Sequence, residues 1–441
     1  MTTSPDSAVY YGIDPAFDPP VRSVGTPRLL AGVVNGSTVG LAEHRQLHVR
    51  HPLPSRDRFT ADVQAVRLLG RGGAAFPVAS KLEALPADGA DVVIVNGSEG
   101  EPLSHKDRSL MRHVPHLVLD GAVVTAAALG ARRVVVAADD DESLRALTMA
   151  VAERVATRTD HLGIEIVRGG GRFVSGEARA LGNLVDGGAG APPGRRVHLT
   201  ERGVGGCPTF LANAETFAQL GLLAAIGPFD FATTGTSEEP GTSLTTVTGA
   251  VSWPGVIEVP NGMPLPVLLD HIGAADGAVL FGGYHGAWID DPGQVVINRP
   301  GLARAGGRFG AGSLTVVDDA TCPVGEIARV ARWLAGESMR QCGPCMFGLD
   351  GLADDIAALG AGDGRRVRHL QRLLEITPGR GACAHPDGAV GFLRSSLQRF
   401  VADVDRHLRV GGCGRPVFGR LPLSAHAAPS ARPAYAGAVS S

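Results

Sequence analysis

Between about residue 60 and residue 230, short apolar runs rich in β-branched residues alternate with longer Ala- and Leu-rich stretches. Val92-Val93-Ile94-Val95 and Val134-Val135-Val136 are of the first kind; Leu117 to Leu129 and Leu144 to Val155 are of the second. Short, continuously apolar runs suit strands buried on both faces. Their alternation with helical stretches predicts an α/β layer around a largely parallel sheet, with ligands in the loops that follow strands. Thr233 to Ser243, rich in Thr, Ser, Gly and Pro, reads as a linker. Beyond it, Thr246-Val247-Thr248-Gly249 and Trp253 through Val259 to Pro260-Asn261-Gly262 read as a short-stranded hairpin, followed by a small helix over Leu265 to Ile272. A further strand is expected at Ser313 to Val317, then a helical region from about Val324 to Leu408. Residues 1–55, with Pro, Gly and His but little periodicity, read as an irregular lead-in. The tail over 411–441, dense in Pro, Ala and Ser, is expected to lack structure.

Two loops in the α/β region carry candidate chemistry. The first runs Gly70-Arg71-Gly72-Gly73-Ala74-Ala75-Phe76-Pro77 and leads to Lys81. The second, Asn96-Gly97-Ser98-Glu99-Gly100-Glu101-Pro102, follows the apolar run ending at Val95. Glycines let backbone amides approach a phosphate or a ring system, and a strand-to-loop step aims them, so the pair has the make-up of a flavin cradle. Of the 41 basic side chains only Lys81 and Lys106 are lysines, and both lie in or beside these loops. A compact, rotatable ammonium suits a phosphate or a flavin better than a planar fork does.

Composition narrows the field. At 441 residues the chain is long enough for several domains, and a net charge of −3 with 19% charged residues provides no basic field for nucleic acid. No apolar run reaches the length of a membrane span and no secretory signal opens the chain, so a cytoplasmic protein is expected, with docking to a membrane complex left open. The cysteines are Cys207, Cys322, Cys342, Cys345, Cys383 and Cys413, a distribution that suggests metal rather than disulfides.

Three more stretches complete a constellation: Ser175-Gly176-Glu177-Ala178-Arg179-Ala180-Leu181; Gly206-Cys207-Pro208-Thr209 running to Asn213-Ala214-Glu215-Thr216; and Glu337-Ser338-Met339-Arg340-Gln341-Cys342-Gly343-Pro344-Cys345, with Cys383 downstream. In this order, over roughly residues 56–408, they resemble the NADH-oxidising, FMN-binding subunit of respiratory complex I and its relatives in NAD-linked hydrogenases and formate dehydrogenases. The resemblance implies a Rossmann-like α/β flavin domain over 56–235, a β-grasp module of the soluble-ligand-binding type over 243–292, and a helical bundle over 320–408 carrying a [4Fe–4S] cluster. It implies that NADH gives a hydride to FMN and that electrons then pass singly to the cluster and on to a ferredoxin-like or complex-subunit partner. By position, Gly70, Arg71, Gly72, Gly73 and Lys81 would face FMN and nucleotide, Asn96, Ser98 and Glu99 would line the isoalloxazine, and Glu101 would face the dinucleotide. Gly176, Glu177 and Asn213 would complete the flavin pocket. No protein side chain is expected to act as a general base, since the chemistry is the cofactor's.

The chain departs from the family pattern at both ends of this path. Met339 stands where the first cysteine of Cys-x-x-Cys-x-x-Cys is expected, leaving three thiolates, Cys342, Cys345 and Cys383. A thioether is a weak iron ligand, which leaves a labile iron, a three-iron form, or a replacement from Cys322, His385 or an exogenous group. On the dinucleotide side the family's stacking aromatic before Gly-Cys-Pro-Thr is Gly205, the second acid of Gly-Glu-Glu is Ala178, and the Asn-Asn pair is Ala212-Asn213, with Phe76 left as a stacking candidate. Two alternatives follow: a degenerate flavin- or nucleotide-binding scaffold or regulatory subunit without turnover, and a flavoprotein taking electrons from another donor.

Overall fold

The computed structural model of the protein describes residues 19–194 and 197–423. A short strand, β1 (Val21–Ser23), opens it, and four strands then build the first sheet: β2 (Val92–Gly97), β3 (Arg133–Ala138), β4 (Ile164–Arg168) and β5 (Thr209–Asn213). All pairings are parallel and the order is β4-β3-β2-β5, as the alternation of apolar runs predicts. The chain steps outward from β2 through β3 to β4, then returns to the other side of β2. That reversal makes the crevice beyond the carboxyl ends of β2 and β5 a topological switch point, where open α/β sheets bind ligands. Helices Pro115–Leu129 and Ala214–Phe231 pack together against this sheet through two glycines. A Cβ at Gly121 would lie 1.8 Å from the Phe217 carbonyl oxygen, and one at Gly221 would lie 2.4 Å from that of Leu117.

The second sheet is mixed. Its strands are β6 (Thr242–Gly249), β7 (Gly255–Pro260), β9 (Gly277–Phe281), β10 (Ala287–Ile289), β12 (Ser313–Asp318) and the early β1, while β8 (Met263–Pro264) and β11 (Val296–Ile297) pair separately. The order β1-β7-β6-β12-β9-β10 differs in two ways from a module confined to 243–292. Strand β12 inserts between β6 and β9, and β1, within the segment expected to be irregular, pairs with β7. Helix Leu265–His271 follows the hairpin as expected.

Helices Pro323–Gly336, Leu349–Gly360, Val367–Ile376, His385–Arg399 and Val401–Val410 form the C-terminal bundle around Val330, Leu334, Leu352, Ile356 and Phe392. After Gly411, which ends the last helix in the left-handed region, residues 412–423 form a strap with Cys413, Leu421 and Leu423 buried. The expectation of an unstructured tail therefore does not hold as far as 423, and its remaining part, 424–441, lies outside the described residues. Among the described residues no helix is long and apolar enough to cross a membrane.

Candidate flavin and iron–sulfur site

The glycine-rich loop folds back on itself, with the Gly70 amide donating to the Phe76 carbonyl at 2.9 Å and the Ala75 amide to that of Gly72 at 3.1 Å. Ala75 adopts φ 48°, a left-handed conformation that costs a non-glycine residue about 1–2 kcal/mol. The loop is tied to the helix after β5 by the Arg71 amide, which donates to Thr216 Oγ1 at 2.9 Å. This ties the loop to the first turn of helix Ala214–Phe231, whose Glu215 amide is taken by Asp107 at 2.9 Å and Asn213 at 3.1 Å. A Cβ on Gly73 would meet nothing within 4 Å, and one on Gly72 only Asn213 Cβ at 3.9 Å. Lys81 Nζ donates to the Leu211 carbonyl at 2.8 Å and pairs with no carboxylate among the described residues; burial alone pulls its pKa down. A desolvated ammonium bonded to β5 and paired with no carboxylate among the described residues has the chemistry to take a flavin phosphate. Phe76 is 51% exposed at the same loop, free to offer a ring face.

The second loop is held from below. Asn96 Nδ2 donates to the Gly176 carbonyl at 2.8 Å, and its Oδ1 accepts from the Ser98 amide at 3.1 Å, which joins the Gly176 turn to the end of β2. Asp139, at the end of β3 and not anticipated from the sequence, accepts from Ser98 Oγ and the Glu99 amide, each at 3.1 Å. Asn213 caps helix Ala214–Phe231 and accepts from Lys106 Nζ at 3.0 Å.

Several expected ligand contacts are otherwise engaged. The Arg71 guanidinium is turned away from the crevice into a buried cluster with Glu239 (3.0 Å), Ser243 (2.7 Å) and, through Glu239, Arg299. Glu99 accepts from Ser104 Oγ and from the amides of Asp107 and Arg108, so it caps helix Lys106–His113. Glu177 caps helix Ala178–Val185, accepting from the amides of Arg179 and Ala180. Glu101 meets the β module rather than the open crevice, accepting from the Tyr284 amide at 2.8 Å and that of Leu103 at 3.2 Å.

Burial, partly offset by those amides, raises the Glu101 carboxyl from an ordinary 4.5 to about 7. The folded protein thus keeps a proton that the unfolded chain has released. The contribution of this group to stability is full below pH 4.5 and is lost as pH rises through about 7. Thermal melts should fall between about pH 5 and about pH 8, and Glu101→Gln, though less stable at low pH for want of one acceptor, should flatten that slope. Parallel profiles for the two proteins would exclude Glu101 as the source.

Gly205, at the position expected to serve the dinucleotide, is exposed at φ 63° with open space around its Cβ position, and its amide donates to Asp186 at 2.7 Å. Space is therefore no obstacle to an aromatic there, but the left-handed backbone is.

The three candidate cluster thiols come together. Burial, then the neighbouring Cys342 and Cys383, pushes the Cys345 thiol up to about 12, and burial also raises Cys383. None is in a disulfide. This group fits a cluster with three thiolates, and Met339, half-buried three residues before Cys342, holds the fourth position in sequence. Cys322 is not its replacement. It caps the amino end of the 14-residue helix Pro323–Gly336, whereas Met339 follows the carboxyl end, about 20 Å away. His385 Nε2 donates to the Leu334 carbonyl at 2.9 Å, which engages one of its two nitrogens.

One segment joins the two sites. Arg172 donates to the Gly336 carbonyl at 2.9 Å, the Phe173 amide to Glu337 at 2.9 Å, and Arg179 to the Ala382 carbonyl at 2.8 Å while also pairing with Glu177 at 3.0 Å. The wall of the flavin crevice is therefore also bonded to both segments that present the thiols.

Comparison with known proteins agrees with this geometry. The Nuo51 FMN-binding domain matches residues 63–221, and the NADH-ubiquinone oxidoreductase-F iron-sulfur binding region matches residues 326–407. The chain is 30% identical over 381 residues to an F subunit of the NADH-quinone oxidoreductase of Rhizobium meliloti, covering 81% of this chain and 90% of that one. It is 31% identical over 374 residues to the F subunit of the NADH-quinone oxidoreductase of Mycobacterium bovis, covering 78% and 83%. A crystal structure of NAD+-reducing [NiFe]-hydrogenase in the air-oxidized state superposes with a TM-score of 0.74 at 26% identity, over 89% of this chain and 69% of that chain. A switch-point crevice beside a glycine-rich loop, bonded through residues 172–179 to the thiol-bearing segments, thus lies on a chain that belongs to the family of NADH-quinone oxidoreductase F subunits.

Proposed function

We propose that this chain is the NADH-oxidising electron-entry subunit of a larger assembly, binding FMN at the β2/β5 crevice and an iron–sulfur cluster at Cys342, Cys345 and Cys383. The observation that supports the reading is the shared segment 172–179, whose Arg172, Phe173 and Arg179 bond to Gly336, Glu337 and Ala382 beside the thiol-bearing loops. When bound, FMN supplies two-electron acceptance from a nicotinamide and one-electron release to a cluster. The residues supply position. Lys81 and the backbone of Gly70, Gly72 and Gly73 hold the phosphate end. Asn96, Ser98 and Gly176 fix the loop under the ring, and Phe76 offers a face for the dinucleotide. Glu99, Glu177 and Asn213 act on the ligand through the helix ends and amides they hold. Arg71 locks the glycine loop to the β module.

Lys81→Ala should lower flavin occupancy about tenfold while leaving the fold intact, because it removes a desolvated ammonium that pairs with no carboxylate among the described residues. Flavin released on denaturation, measured against protein, checks this; full occupancy in the folded variant would remove Lys81 from the cradle. For the whole reading, protein purified without oxygen should show flavin bands over a broad iron–sulfur shoulder, and both should bleach with NADH. A colourless protein would point to a scaffold without turnover. A second reading, with another electron donor, is favoured by Gly205, whose exposed left-handed backbone offers no ring to stack a nicotinamide nucleotide. Bleaching by reduced ferredoxin and not by NADH would select it. For the acceptor, the reading is a small ferredoxin-like protein or a neighbouring complex subunit.

A further inference from the structure

At the far end of helix Pro323–Gly336 from the cluster thiols, Cys322, His407 and Cys413 point at one another, each buried, with their ligand-capable atoms all within 4.8 Å. Cys322 Sγ lies 3.4 Å from His407 Nε2. A tetrahedral zinc ion with Zn–S of about 2.3 Å and Zn–N of about 2.0 Å sets a sulfur and a nitrogen about 3.5 Å apart, so the spacing already matches. The tautomer is set as well. His407 Nδ1 donates to the Gly360 carbonyl at 2.6 Å, which leaves the Nε2 lone pair facing the sulfurs, the arrangement that surrounds metal-bound histidines. The Gly325 amide donates to Cys322 Sγ at 3.4 Å, an outer contact of the kind that steadies a thiolate.

We propose that Cys322, His407 and Cys413 form a binding site for one Zn2+ ion, distinct from the iron–sulfur site, that staples the C-terminal strap to the helical bundle. Two thiolates balance the charge of the ion, a soft set of two sulfurs and one nitrogen suits zinc, and water takes the fourth position. The three ligands come from a helix start, the last helix and the strap, so the ion joins three separate parts of the C-terminal region. The strap runs on from it along helix Pro323–Gly336. The Pro416 carbonyl accepts from the Cys322 amide at 2.7 Å, and the amides of Gly419 and Leu421 donate to Glu326 at 2.6 and 3.2 Å. It closes on Tyr284, whose hydroxyl donates to the Pro422 carbonyl and whose amide holds Glu101 of the flavin loop.

The test is metal analysis of the full chain carrying its flavin and cluster. The purified protein, dialysed anaerobically against Zn2+ alone, should hold one zinc per chain in addition to its iron. Cys413→Ser and His407→Gln should each lose the zinc while keeping iron and flavin, and Cys342→Ala should lose the iron while keeping zinc and flavin. Trypsin should cut the zinc-free protein after Arg420 about tenfold faster than the zinc-loaded one, since the strap then opens locally. Should the variants fail to fold, cobalt(II) added to the unaltered protein should give the visible bands of a tetrahedral cobalt–thiolate site, and zinc should abolish them. Three results would overturn the proposal: no zinc or cobalt uptake by the reduced wild-type protein; a Cys322–Cys413 disulfide in protein purified under reducing conditions; or iron lost from Cys413→Ser with zinc unchanged.

Discussion

Cys342→Ala is expected to give a protein that is yellow but contains almost no iron. With Met339 in place of the first cysteine, the cluster has three thiolates at most, and removing one leaves Cys345 and Cys383 for four corners. Their thiols are held protonated by burial, so metal binding must release protons, and two ligands supply too little affinity to drive that. Flavin should stay, because Lys81, Asn96 and Gly176 bond to β5, Ser98 and one another rather than to the Cys342 loop. Met339→Cys is the reciprocal change. Met339 stands three residues before Cys342, where the family motif has its first cysteine, so a thiolate there restores the fourth ligand with a smaller side chain. The cluster should then outlast the native one in air, with loss of one iron slowed about tenfold or more. Iron and sulfide analysis, with electron paramagnetic resonance of the reduced protein, decides both. Unchanged iron in folded Cys342→Ala would move the cluster off these thiols.

The parallel sheet was legible because Val92–Val95 and Val134–Val136 are buried on both faces, and an apolar run of that length has few other uses. The second sheet was legible only where pairing is local. The hairpin of β6 and β7 announces itself, but β12 enters between β6 and β9 from some 70 residues downstream of β6, and β1 is three residues long, too short to carry a period. Residues 412–423 read as an unstructured tail because single anchors, Cys413, Leu421 and Leu423, hold them without periodicity. In the site, glycines told where backbone must come close, which is a property of the residue itself. The partners of the charged residues were not legible. Arg71 in a glycine loop looks like a phosphate ligand, yet its guanidinium pairs with Glu239, 168 residues away, and nothing local signals that choice. Glu99 has the opposite history: its partners are five to nine residues on, and Ser104 with the helix start at Lys106 was the available signal for a capping role.

Lys106→Met should be the most destabilising single change at the crevice. The Lys106 ammonium, almost wholly buried, lies 2.7 Å from Asp107, 3.2 Å from Glu215 and 3.0 Å from Asn213 Oδ1. Burial opposes its charge, but Asp107, Glu215 and Glu99 outweigh that and hold its pKa above the ordinary lysine range. Without the ammonium, the buried carboxylates of Asp107 and Glu215 lose the cation they share, a change that costs about 3–5 kcal/mol against about 0–1 for an exposed pair. That is a large part of the roughly 5–15 kcal/mol by which a domain is stable. The damage should also reach the flavin. Asp107 accepts from Asn213 Nδ2 at 2.6 Å and from the Glu215 amide at 2.9 Å, so its repositioning unties the helix end to which the glycine loop is tied. Arginine is no substitute, because the Lys106 stem already runs close to Gly312, where a Cβ would sit 3.1 Å from Lys106 Cδ, and a guanidinium needs more width. Adding Asp107→Asn and Glu215→Gln to Lys106→Met should recover much of the loss, since neutral groups of the same volume often replace a buried ion network at little cost. Urea midpoints and flavin fluorescence of the single and triple variants measure both effects. If Lys106→Met melts like the native protein, the carboxylates have water or another cation to turn to, and the crevice owes its rigidity to the Arg71–Glu239 cluster instead.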